Sequence, residues 1–273
     1  MDTAEDLPIV DTTREELRSR IASAAARFDR AARAADPRLV PRGQAWTVQQ
    51  IVAHVLSLGH RYRQIARGSD YHHASTPSGI AAVNQAELEA TIAPVPVMVD
   101  ELRAVCAEVD SFFDTMTDDR PTIPFHGFGV MSGTTMQTNW LGELLLHGQD
   151  IARAARIAWE LPERDMLLVL RGAREMVPLY FRPDVSPELD LCVAFEIDGA
   201  RPYLIRVHDS VAEMRARHPD DHIDATLRAP AATLVQLLYQ RIGQISAVRH
   251  GLRLVGGRRP WKAFKLVSCF ERP

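Results

Sequence analysis

The spacing of apolar residues changes period once along this chain, and the change divides it in two. In the first part the period is helical. Leu17, Ile21, Ala24, Phe28 and Ala31 recur at three- and four-residue intervals behind Thr13-x-x-Glu16, a capping-box pattern. Thr47 and Gln50 repeat that pattern at the head of a second helix, which Gly68 ends, and Trp46 is placed to staple against Ile51 across the cap. Residues 80–91 form a weaker helical segment, and Pro94 and Pro96 open a strong helix running to about Met116. Residues 118–133, rich in Gly, Pro and Thr, read as a loop, and a further helix follows as far as Trp159. Four main helices with long connections predict a four-helix bundle over residues 1–160.

Past Pro162 one more helix runs from Glu163 to about Tyr180, and then the period falls to two. Leu189, Leu191, Val193, Phe195 and Ile197 alternate up to Asp198-Gly199, a hairpin signal, and Tyr203, Ile205 and Val207 alternate after it. Short strands follow at 211–217 and 223–228, a helix begins at Pro230, 252–255 reads as a strand, and Pro260 starts a final helix. The expected second unit, residues 161–273, is a linker helix followed by an α+β domain built on an antiparallel sheet.

The 273 residues, 46% hydrophobic and 25% charged, are ordinary for a globular chain. A net charge of −3 gives no reason to expect nucleic acid or an anionic membrane as partner. The N-terminus has no basic-then-apolar leader pattern and no apolar run approaches a membrane span, so a cytoplasmic location is expected; the oligomeric state stays open. Three cysteines without C-x-x-C spacing argue against a disulfide framework or a thiolate zinc site. Cys106 shares a helical face with Leu102, Val109 and Phe113 and reads as a core residue, so thiol chemistry here would need a thiol from outside.

Candidate chemistry lies in two segments. In Asn139-Trp-Leu-Gly-Glu-Leu-Leu-Leu-His-Gly-Gln-Asp150, Glu143 and His147 stand one helical turn apart beside an apolar stripe, so they point inward. His54 lies on the face shared by Thr47, Ile51, Leu58 and Tyr62 and also points inward. Such groups are costly to bury unless paired or bound to metal, and two histidines with one carboxylate make a three-ligand set with open positions, the pattern of a catalytic metal site. Asp150 follows His147 by three residues and either orients a ligand histidine or pairs with Arg153 or Arg156 on the surface. His60, His72, His73 and His126 fall on loops or off the inward face and are not expected to touch metal, and the later histidines read as surface residues.

On these residues the chain resembles the mycothiol-dependent maleylpyruvate isomerase family of actinobacteria. Trp46-Thr-Val-x-x-Ile-Val-x-His54-Val resembles that family's first ligand motif, and Glu143-Leu-Leu-Leu-His147-Gly-Gln-Asp150 its second. The resemblance implies a DinB-like metal-binding bundle, then a domain related to sterol carrier protein 2. It implies His54, Glu143 and His147 as ligands to Zn²⁺ or another divalent cation, and mycothiol as thiol cofactor or cosubstrate. Asp150 would contact that thiol, and Arg241 would bind a carboxylate of substrate or cofactor; as a residue of an exposed helix, Arg241 can equally be solvated. Leu237-Leu-Tyr-Gln-Arg241-Ile-Gly and Gly251-Leu-Arg-Leu-Val-Gly-Gly257 resemble carrier-domain segments, with Gln240 replacing a glycine and Gly257 standing where many relatives have an acid. The implied partners are a low-molecular-weight thiol and a small electrophile, in an isomerase or an S-transferase. Two other classes compete: a non-enzymatic carrier of an apolar ligand with a structural metal, and a metal-dependent hydrolase.

Overall fold

The computed structural model describes residues 7–69, 73–116, 120–185 and 187–271. His72 lies outside them, as do parts of the loops expected near residues 70 and 118. The described residues form two compact units, one of residues 13–161 and one of residues 162–271 together with residues 7–12.

The first unit is built on α1 (Arg14–Ala34), α2 (Val48–Ala66), α3 (Ile80–Thr91), α4 (Val95–Phe113) and α5 (Gly133–Ala155). Thr13 caps α1 by accepting from the Glu16 amide, and at α2 both halves of the Thr47/Gln50 box are made. α1 packs on α5 and α4, and α2 packs on α4, α3 and α5. The core between them holds Phe28, Ile51, Leu56, Met98, Phe113, Met136 and Trp140, all essentially inaccessible to solvent. Val105 occupies the core position on α4, and Cys106 sits at its rim.

Two expectations for this unit need correction. The stretch taken as loop contains a short antiparallel hairpin, β1 (Ile123–Phe125) against β2 (Gly129–Met131), so the unit is not wholly helical. Three-residue strands are too short for alternation to register in a sequence. α5 stops at Ala155 rather than near Trp159: Arg156 takes a left-handed conformation (φ 57°), and Trp159 folds back onto the helix instead of extending it.

In the second unit α6 (Glu163–Tyr180) precedes a five-stranded sheet of order β5-β4-β3-β6-β7. Its strands are β3 (Leu191–Glu196), β4 (Tyr203–His208), β5 (Val211–Ala216), β6 (Ala225–Arg228) and β7 (Arg253–Gly256). The sheet is mixed, not antiparallel throughout: β3 and β6 run parallel, with Val193 opposite Ala225. The turn at Asp198-Gly199 forms as expected, with Gly199 at φ 78°. Between β6 and β7 stand α7 (Ala231–Leu238) and α8 (Gln244–Arg249), and a 3₁₀ segment, Pro260–Cys269, replaces the last expected helix.

The N-terminal residues join this second unit, contrary to the simple division at residue 160. Ile9 and Val10 are buried there. Tyr203 donates its hydroxyl hydrogen to the Leu7 carbonyl at 2.7 Å, and Arg201 donates to the Pro8 carbonyl and pairs with Asp11. An extended segment of a few residues carries no periodicity, so nothing in its pattern assigns it to a partner.

Candidate metal centre

α2 and α5 bring three of the expected groups together inside the first unit. Their donor atoms, one each from His54, Glu143 and His147, all lie within 4.8 Å of one another. Glu143 Oε2 is 3.2 Å from His147 Nε2 and 3.8 Å from His54 Nε2. The two imidazoles meet edge to face, with centroids 4.9 Å apart. Both histidines are buried, and Glu143 is partly open. The local sequence accounts for this: the capping box fixes where α2 begins, and the four-residue spacing on α5 stacks Glu143 and His147 on one face.

Asp150 is buried, which removes its reading as a surface carboxylate. Its Oδ2 lies 3.5 Å from His147 Nδ1, the ring nitrogen opposite the one facing Glu143. At that distance the two atoms form a charge contact, not a hydrogen bond; a carboxylate beside Nδ1 favours a proton there and leaves Nε2 as the nitrogen for a metal. Arg241 follows α7 in the sheet unit, half-buried, its amide donating to the Gln236 carbonyl.

Trp46 reaches the histidine pair. Its ring lies 4.7 Å from that of His54 and 6.4 Å from that of His147, and its indole N–H donates to Gln85 Oε1. It forms an apolar wall to the histidine pair. The aromatic next to a cap was visible in the sequence; its reach over a side chain eight positions on was not.

A second polar layer lies along α2 and α5. Asn139, one turn before Glu143, donates to the Tyr62 hydroxyl at 2.8 Å. Burial, with a smaller contribution from Glu143, holds the Tyr62 phenol well above its usual range, so it stays protonated. Beyond it Arg61 pairs with Glu87 at 2.5 Å and Asn84 at 2.8 Å. His126, at the hairpin tip with φ 50°, approaches Arg61 to 3.4 Å and accepts from the Ala74 amide. Burial, then Arg61 and His73, push the His126 pKa down to about 4. Arg61, Tyr62, His73, His126 and Asn139 line a small cavity with room for about one water. His60 turns to Glu101 at 2.8 Å.

No cysteine of this chain is poised to act as a nucleophile. Burial raises the thiol pKa to about 12 at Cys106 and to about 11 at Cys192 and Cys269. Thiolates form where the pKa is lowered, the reverse of what these sites do.

Comparison with known proteins fits this geometry. Residues 38–152, which span both motifs, match the Mycothiol maleylpyruvate isomerase N-terminal domain. The match covers less than half of the chain and marks its helical unit as similar to that domain. Among solved structures, the crystal structure of the mycothiol-dependent maleylpyruvate isomerase aligns over 92% of this chain and 96% of its own, with a TM-score of 0.54 and 12% identity. A mutant of that enzyme with one histidine changed to alanine aligns over the same shares, with a TM-score of 0.56 and 12% identity. At such identity the likeness is one of fold. No curated protein matches the sequence significantly.

Proposed function

We propose that this chain is a metal-dependent enzyme that uses mycothiol, as an isomerase of the maleylpyruvate type or as an S-transferase. The observation that carries the reading is the convergence of His54, Glu143 and His147 within 4.8 Å from two helices. The donor set fits a divalent cation such as Zn²⁺: two imidazoles and one carboxylate, with open positions left for exogenous ligands. Metal and thiol together would supply a positioned thiolate, released again after adding to an electrophilic carbon in an isomerase and retained as a thioether in a transferase.

The chain's own residues do the rest. Asp150, 3.5 Å from His147 Nδ1, would draw in to accept that proton and orient the ring once a metal is bound at Nε2. Trp46 shields the imidazole pair from bulk water. Arg241 binds an acidic group of thiol or substrate, a role that rests on the family resemblance. The raised pKa of each cysteine favours an external thiol, and in the cytoplasm such thiols are kept reduced. The helical unit is read as DinB-like and the sheet unit as related to sterol carrier protein 2.

The test is turnover by the zinc-loaded chain, with and without mycothiol, across a panel of small electrophiles that includes a cis-unsaturated keto acid. Mycothiol-dependent turnover that is lost in His147→Ala and kept in Cys106→Ala, Cys192→Ala and Cys269→Ala is expected. Turnover that needs one of these cysteines and not mycothiol would overturn the reading.

A further inference from the structure

The charge of the chain is unevenly placed. From Ala229 to Phe270 there is no acidic residue, while Arg241, Arg249, Arg253, Arg258, Arg259, Lys262 and Lys265 are all basic. Lys262 and Lys265 are the only lysines in the sequence. Lys262 is held by Asp224 at 3.0 Å, but Arg249, Arg253, Arg258, Arg259 and Lys265 are exposed.

The same segment carries large apolar side chains exposed to solvent: Ile245 (73%), Val248 (51%), Trp261 (62%) and Phe264 (64%), with Leu254 and Val255 about half exposed on β7. They belong to one edge of the second unit. Gln244 at the head of α8 donates to the Phe264 carbonyl, and Arg253 on β7 donates to the Val248 carbonyl of α8. β7 is the terminal strand of its sheet. Apolar side chains interleaved with cations therefore crowd α8, β7 and the 3₁₀ segment.

We propose that this edge is a peripheral docking surface for an anionic lipid bilayer. Cations draw the surface to anionic headgroups, and Trp261 and Phe264 seat at the boundary between headgroups and acyl chains, where amphipathic surfaces of this composition partition. The lysine and arginine stems lie over apolar neighbours while their heads reach phosphates. Ile245, Val248, Leu254 and Val255 decide between occupants. Aliphatic side chains gain from acyl contact and offer nothing to a phosphodiester backbone, where aromatic stacking would be used. A second copy bringing the same face would set like charge against like. The net charge of −3 hides the patch because the acids lie elsewhere in the chain.

The proposal stands apart from the metal centre and is tested without it. The full-length chain is mixed with vesicles of equimolar phosphatidylglycerol and phosphatidylcholine, or of phosphatidylcholine alone, and floated on a density gradient at low and high salt. Flotation with the anionic vesicles only, weakened by salt, is expected. Reversing two charges (Arg258→Glu with Arg259→Glu) should weaken binding by at least about twentyfold, and Trp261→Ser with Phe264→Ser by at least about tenfold. All four positions are exposed, so far-ultraviolet circular dichroism should match the parent. Absence of flotation at low salt, or flotation unchanged in both variants, overturns the proposal. So does tight binding of single-stranded oligodeoxythymidine by a chain that ignores vesicles, or a self-association that the Trp261/Phe264 pair abolishes.

Discussion

At the scale of single residues, His126 sets the clearest pH dependence. A histidine whose folded pKa lies near 4, against 6.5 when exposed, binds its proton more readily in the unfolded chain. Its neutral form is favoured in the folded state, so folding is strongest above about pH 6.5 and weakens as pH falls toward 4. The loss from this group is on the order of 3 kcal/mol at most, reached only below its folded pKa. Arg61 and His73 face it, and Glu87 faces Arg61, so their charges share in the effect. Denaturant titrations at pH 7 and pH 4.5 should show a smaller acid loss in His126→Gln than in the parent; equal losses would place the sensitivity elsewhere. Gly257 and Gln240, where the sequence departs from the carrier-domain segments it resembles, also find physical reasons at this scale. Gly257 sits at φ 116° with the backbone of Asp224 and Ala225 where a Cβ would go, so an acidic residue cannot be accommodated as the loop stands. Gly257→Asp should lose roughly 3 kcal/mol or more in a thermal or denaturant melt. Gln240 takes a left-handed conformation (φ 51°), one that glycine adopts more readily. Gln240→Gly should therefore fall within about 1 kcal/mol of the parent, on the stabilising side, and a clear loss would mean the Gln240 side chain matters more than its backbone.

At the scale of elements, α5 carries the site and its own buttress. A Cβ on Gly148 would run into the Trp159 indole, which also takes the Arg27 guanidinium over its face at 4.3 Å. Gly148→Ala should displace the indole, cost roughly 1–2 kcal/mol and shift tryptophan emission, while Gly43→Ala at an open turn would report only backbone strain. An unshifted spectrum would show that Trp159 does not seat there. The positions of the candidate triad on α2 and α5 were legible because cap and period together fix which face of a helix turns inward. Glu143 and His147 needed only a four-residue spacing, and His54 only the Thr47 cap. The end of α5, the hairpin and the docking of Trp46 were not legible. Each depends on a tertiary contact, Trp159 on Gly148, His126 on Arg61, Trp46 on His54, that no local period encodes.

At the scale of the whole molecule, the change of period near residue 188 marks where helices give way to the sheet. Apolar alternation located β3 and β4, whose neighbours were then set by a hairpin turn, yet it could not show that β6 would pair in parallel beside β3. Strand direction follows from the path of the connections, which leaves no mark on side-chain spacing. Net charge misled in a similar way, because an average over the chain conceals an edge that gathers cations. Among the described residues no helix is long and apolar enough to cross a membrane.

The central claim is that α2 and α5 hold a divalent cation through His54, Glu143 and His147. Metal content by mass spectrometry, taken after zinc loading and extensive dialysis, tests it most directly. The parent should retain about one zinc per chain, and His54→Ala, Glu143→Gln and His147→Ala should each retain almost none while keeping their helical circular dichroism, because ligand loss removes affinity that three donors supply together. Undiminished zinc in His147→Ala, or a folded parent that retains no divalent metal, would contradict the account.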